Sequence, residues 1–165
     1  MMKTLLLLTL LQANGLADQQ AGSQAGHSHD QAVKDRGAHV MGFDQDKTTH
    51  SFRLHADGGA VDISVKDRAD LTNRDAIRAH LPHIAQMFGD GNFEAPMLIH
   101  ATKVPGTEKM TALKDRIRFV YVETPTGGRL DIFTTDGAAL QAVHEFMRFQ
   151  IADHKTGDTT AVTKR

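Results

Sequence analysis

The chain has 165 residues, with 19 Lys+Arg against 20 Asp+Glu, no Cys, no Trp, one Tyr and ten His. A formal charge of -1 supplies no clustered cationic surface, which disfavours nucleic acid and anionic membrane surfaces as partners. The missing cysteines exclude a disulfide scaffold, thiolate-ligated zinc, iron–sulfur clusters and any thiol nucleophile.

Met1-Met2-Lys3 and the apolar run Thr4 to Leu11 read as a signal peptide, because the run is far shorter than the ~20 residues of a bilayer span. Gly15 and Ala17 stand at -3 and -1 of a cut before Asp18, so residues 1–17 are expected to be removed. The product is expected in the periplasm or secreted, with no transmembrane segment. Residues 18–40 hold very little apolar sequence and read as a flexible arm containing His27 and His29. A single domain is expected over 41–158, followed by a tail, 159–165.

Within that domain, Thr49 to Ala56 and Ala60 to Lys66 alternate as strands around Asp57-Gly58-Gly59, a hairpin signal. His50, Phe52 and Leu54 share one strand face, with Val61, Ile63 and Val65 inward on the partner. Thr72 to Asp75 resembles a capping box that opens a helix with an apolar stripe of Ile77, Leu81, Ile84 and Phe88. Pro82 inside it predicts a kink or an early end, and Gly89 and Gly91 stop it. Residues 92–114 are hard to read, apart from a short helix predicted from Thr107 to Lys114. A second hairpin, Ile117 to Glu123 and Arg129 to Thr135, turns through 124–128, and a last helix runs from Ala138 to His154.

The predicted fold is an α+β two-layer sandwich, a four-stranded antiparallel sheet with two helices on one face. Gly58-Gly59-Ala-Val-Asp62-Ile63 aligns with Gly127-Gly128-Arg-Leu-Asp131-Ile132 at an offset of 69, and an offset of 64 in the helices brings His80 onto His144. Two readings stand: a tandem ββα repeat, or convergence of Gly-Gly hairpins on similar strings.

The histidines carry the chemical signal. His80, His83 and Met87 lie at i, i+3 and i+7 on the first helix, and His144, Met147 and His154 follow a similar row on the second. Imidazole with thioether suits copper, three imidazoles suit zinc or nickel, and His27-Ser-His29 is a capture element for the same ions. Against this, about half a pair is expected by chance at any chosen separation, so the composition rather than the spacing argues for ligands. Core packing is the default reading of Met87 and Met147, and His50 is also read as a satisfied buried imidazole. Neither H-E-x-x-H nor G-x-S-x-G occurs, and the single H-x-D, His55-Ala56-Asp57, falls at a hairpin tip. No Walker or dinucleotide glycine fingerprint occurs either.

The stretches Val40 to Phe52, Ala79 to Phe88 and Ala142 to Gly157 resemble a family of small exported bacterial proteins, over about residues 40–158. Family members usually carry a second His where this chain has Ser51. The resemblance implies export and no mechanism. An aspartate carbamoyltransferase activity, sometimes attached to such chains, is contradicted by the lack of a Ser-Thr-Arg-Thr phosphate loop and of cysteines for a regulatory zinc site.

The leading expectation is therefore an exported metal-binding protein, for copper first and zinc or nickel otherwise, with His80, His83, Met87, His144, Met147, His154, His27 and His29 as candidate ligands. Noncovalent haem held by His and Met is a variant, since no C-x-x-C-H occurs. The alternative is a module that binds a small molecule or a protein, with structural histidines. A His-based enzyme stands third, revived only by an imidazole–carboxylate cluster in a pocket.

Overall fold

The computed structural model describes residues 14–165, with side chains from residue 28 onward. Residues 1–13, most of the expected leader, lie outside the described residues. The element order is α1 (Asn14–Met41), β1 (Thr48–His55), β2 (Gly58–Val65), α2 (Leu71–Gly89), α3 (Glu94–His100), α4 (Thr107–Ala112), β3 (Ile117–Thr124), β4 (Gly127–Thr134), α5 (Gly137–Asp153) and β5 (Val162–Thr163). The architecture is α+β, with one mixed sheet in the order β3-β4-β2-β1-β5. The expectation of four antiparallel strands and two helices falls short by one strand and three helices. The fifth strand lies in the expected tail and pairs parallel to β1, Leu54 with Val162 and His55 with Thr163. Two residues are too short a run for alternation to reveal.

Both Gly-Gly pairs belong to strands rather than to turns. Ala56-Asp57 and Pro125-Thr126 make the turns, while Gly58-Gly59 and Gly127-Gly128 open β2 and β4, the two central strands, which pair with each other. The reason is steric. A Cβ on Gly58 would stand 2.0 Å from the Ile132 carbonyl oxygen, and one on Gly127 would stand 2.2 Å from that of Ile63. The strands' offset of 69 makes Val61 and Leu130 equivalent, and these two are paired directly across the β2–β4 seam.

The helix offset of 64 does not hold. Asp70 caps α2 by accepting from the Asn73 amide, and Asp136 caps α5 by accepting from the Ala138 and Ala139 amides, an offset of 66. Met147 covers Gly59 as Leu81 covers Gly128, again 66 apart. His80 therefore corresponds to Phe146, not to His144. The three-residue loss relative to the strands sits in the shorter β4–α5 connection.

Helix α2 continues through Pro82, so the predicted early end is not seen, and the Arg78 carbonyl loses its helical donor. One core forms between the sheet and the helices, built on Phe52, Leu54, Val61, Ile63, Leu130 and Ile132 from the strands and Ile77, Leu81, Val143 and Met147 from α2 and α5. Where composition gave a flexible arm, the chain is helical. Val33 of α1 is buried, and the Arg36 guanidinium donates to the Ile99 carbonyl at 2.6 Å. No helix among the described residues is long and apolar enough to cross a membrane.

Candidate functional site

Strand alternation directs His50 inward, paired with Ile63 and beside Phe52, toward the point where β1, α2, α3 and the end of α5 meet. A cavity of about 70 Å³ lies there, walled by aliphatic and aromatic side chains and by four imidazoles: His50, His80, His100 and His154. His154 ends α5, and Lys155 turns in the left-handed conformation. The His154 ring stacks on that of His50 with centroids 5.4 Å apart and planes within 9°. It also meets the His100 ring edge-on at 4.9 Å. Phe43 joins His50 at 6.2 Å to His80 at 6.0 Å.

The polar wall is incompletely paired. His50 Nε2, His80 Nε2 and Gln150 Nε2 are shielded from solvent and have no hydrogen-bond partner among the described residues. His100, by contrast, is committed on both sides. Its Nδ1 lies 2.5 Å from Asp153 Oδ2, which accepts, and its Nε2 lies 3.0 Å from Gln150 Oε1. Asp153 also accepts from His29 of α1 at 3.0 Å, so one carboxylate joins α1, α3 and α5.

The electrostatics follow from burial. Desolvation, then the neighbouring His154 and His80, push His50 down to about 3. Desolvation, then His100, push His154 down to about 4, against the attraction of Asp153. Burial lowers His80 as well, with His83 adding to the effect. Burial works to raise Asp153, but the hydrogen bonds from His100 and His29 outweigh it and hold the carboxyl below its ordinary value. Burial thus favours the uncharged form of His50, His80 and His154, and the wall carries no Lys, Arg, Asp or Glu.

Of the expected metal ligands, only His80 and His154 reach this wall. His83 is exposed on α2, and Met87 packs partly buried against the core. His144 faces the far end of the β1–β2 hairpin, where its Nε2–H donates to the carbonyls of His55 at 2.9 Å and Gly58 at 3.1 Å. Two carbonyl partners fix the proton on Nε2, which leaves that atom no lone pair for a metal. Met147 is fully buried over Gly59. His29 pairs with Asp153, and the side chain of His27 lies outside the described residues. The row His80, His83, Met87, His144, Met147 therefore does not assemble, because an offset of 66 rotates the two helices' histidines onto different faces. No group of three or more His, Asp or Glu among the described residues is placed to hold a metal ion.

Three wall residues escaped sequence reasoning. His50 was visible on the inward strand face, but its missing partner was not. His100 and Gln150 carried no signal, since α3 is seven residues long and Gln150 reads as an ordinary helix position. The Asp153–His100 pair has the geometry that orients a general base, yet the second ring nitrogen meets the Gln150 amide instead of open space. Comparison with known proteins finds no match to this chain among family models, curated proteins or solved structures.

Proposed function

We propose that this chain is an exported binding protein that holds a small organic molecule in the imidazole-lined cavity. One observation carries the reading: three residues that line a single cavity, His50, His80 and Gln150, each carry a buried polar atom with no hydrogen-bond partner among the described residues. Each such atom costs about 1–3 kcal/mol, an expense that a folded chain retains where an occupant meets the need. The experiment pairs stability with imidazole NMR on His80→Leu. An apolar side chain of similar volume is expected to stabilise the protein by about 0.5–1 kcal/mol, as in other binding sites that hold unmet polar groups. Loss of more than about 1 kcal/mol, with no response of the wild-type His50 and His80 resonances to small polar probes, would make these rings structural and end the proposal.

Metal binding is the second reading, favoured by the two buried Nε2 atoms of His50 and His80 in a chain without thiolate. Copper, zinc or nickel would be held by these imidazoles and by His154, not by the helix row first expected. Stoichiometric uptake at micromolar metal, abolished in His50→Phe, supports it; elemental analysis of untagged protein showing no metal removes it. Noncovalent haem is testable by absorbance, although about 70 Å³ is far too small for a porphyrin without opening the core. Export rests on the Met1 to Leu11 pattern, and amino-terminal sequencing of the protein from fractionated cells tests the cut before Asp18.

A further inference from the structure

The cavity's wall chemistry narrows the ligand, on the premise that the cavity is a ligand site. The wall contains no Lys, Arg, Asp or Glu, and the nearest carboxylate, Asp153, already accepts from His100 and His29. His100, the remaining wall imidazole, already meets Asp153 through its Nδ1, so a charged ligand would enter without a free counter-charge, and burying an unpaired ion is far more expensive than burying a dipole. The open positions are those of dipoles. Gln150 Nε2 is a donor, while His50 Nε2 and His80 Nε2 each serve as donor or acceptor according to tautomer. The remaining wall is apolar, from Phe52, Val61, Leu81, Ile84, Phe88 and Leu130.

The volume sets the scale. At about 70 Å³ the space is roughly half that of an engineered apolar cavity able to take benzene, about 150 Å³. We infer that the site selects a neutral organic molecule of about four heavy atoms or fewer, carrying both a hydrogen-bond acceptor for the Gln150 amide and a donor for an imidazole. Small amides and hydroxylated carbonyl compounds have this chemistry. The burial that keeps His50 and His154 neutral well below pH 7 agrees with it, since neither ring supplies a cation for an anionic ligand.

Three probes of nearly equal shape test the inference: acetamide, acetate and acetamidinium, which are neutral, anionic and cationic. Each is titrated at pH 7 and constant ionic strength into the full folded chain, following the ring resonances of His50 and His80. Acetamide is expected to shift both and to bind at least about ten-fold more tightly than either ion, tenfold being about 1.4 kcal/mol of discrimination. Acetate or acetamidinium binding as well as acetamide overturns the neutral-ligand inference while leaving the cavity as a ligand site. If none of the three moves these resonances, both the inference and the binding reading beneath it fail. Gln150→Leu is the companion variant. It removes the donor from the wall, and it is expected to weaken acetamide binding several-fold while leaving the His144 resonance unchanged.

Discussion

His144 and His83 illustrate how two side chains of one type, on neighbouring helices, answer to different physics. His144 is 8% exposed and satisfies two hairpin carbonyls with one N–H, so it is a pin between α5 and β1–β2. Replacing it with Ala removes the donor that the two carbonyls share and opens space in the core; a loss of about 2–4 kcal/mol is expected from urea unfolding. His83→Ala should change stability by no more than about 0.5 kcal/mol, as at other exposed positions without partners. A histidine count cannot tell these cases apart, because a ring's role depends on which acceptor lies within 3 Å, and these acceptors come from residues 86 and 89 positions away. For the same reason the sequence placed His50 on the inward face but gave it a partner it lacks.

Among the elements, the hairpins and the helices α2 and α5 were legible, since alternation, stripes and terminating glycines are local signals. The failures have local causes too. Gly58-Gly59 and Gly127-Gly128 look like turns because glycine favours turns, but here the missing side chains let β2 and β4 approach. Gly127→Ala is therefore expected to destabilise by at least about 2 kcal/mol, with the new Cβ forced against the Ile63 carbonyl, whereas the same change at Gly89, where nothing lies nearby, should not destabilise at all. Helix α1 was unreadable because its sequence carries little apolar surface. It is held instead by specific polar contacts: His29 to Asp153, Lys155 to Asp30 at 2.6 Å, and Arg36 to Ile99. Asp153→Ala cuts the link shared by α1 and α3. Amide exchange should quicken in those two helices while the β2–β4 amides stay protected, and uniform quickening would show that Asp153 supports the whole fold instead.

For the whole molecule, the buried imidazoles make stability depend on pH in a definite direction. His50 and His154 titrate near 3 and 4 in the folded chain against 6.5 unfolded, and burial also lowers His80 and His55. Above about pH 6.5 neither state binds a proton at these rings, so their contribution is fully present. As pH falls below that value, the unfolded chain takes up protons that the folded chain refuses, and stability declines until the folded values are reached. The slope approaches about 1.4 kcal/mol per pH unit for each fully shielded ring, less where solvent screens it. Asp153, held low by His100 and His29, adds a loss in the same direction below about pH 4, while Asp62, held high by burial, takes up its proton earlier in the folded chain and opposes the fall just above about pH 4. Chemical unfolding between pH 8 and 4.5 should thus show a plateau above pH 7 and a steepening fall beneath it. His50→Phe removes one ring from the balance, so its curve should lie flatter between pH 6 and 4.5. An occupant that bonds to neutral His50 and His80 stabilises the same unprotonated state, so a saturating neutral ligand should raise the whole curve without shifting the onset of the fall. A wild-type curve flat from pH 7 to 5 would mean that these rings reach water, and with it the shielding that defines the site would be lost.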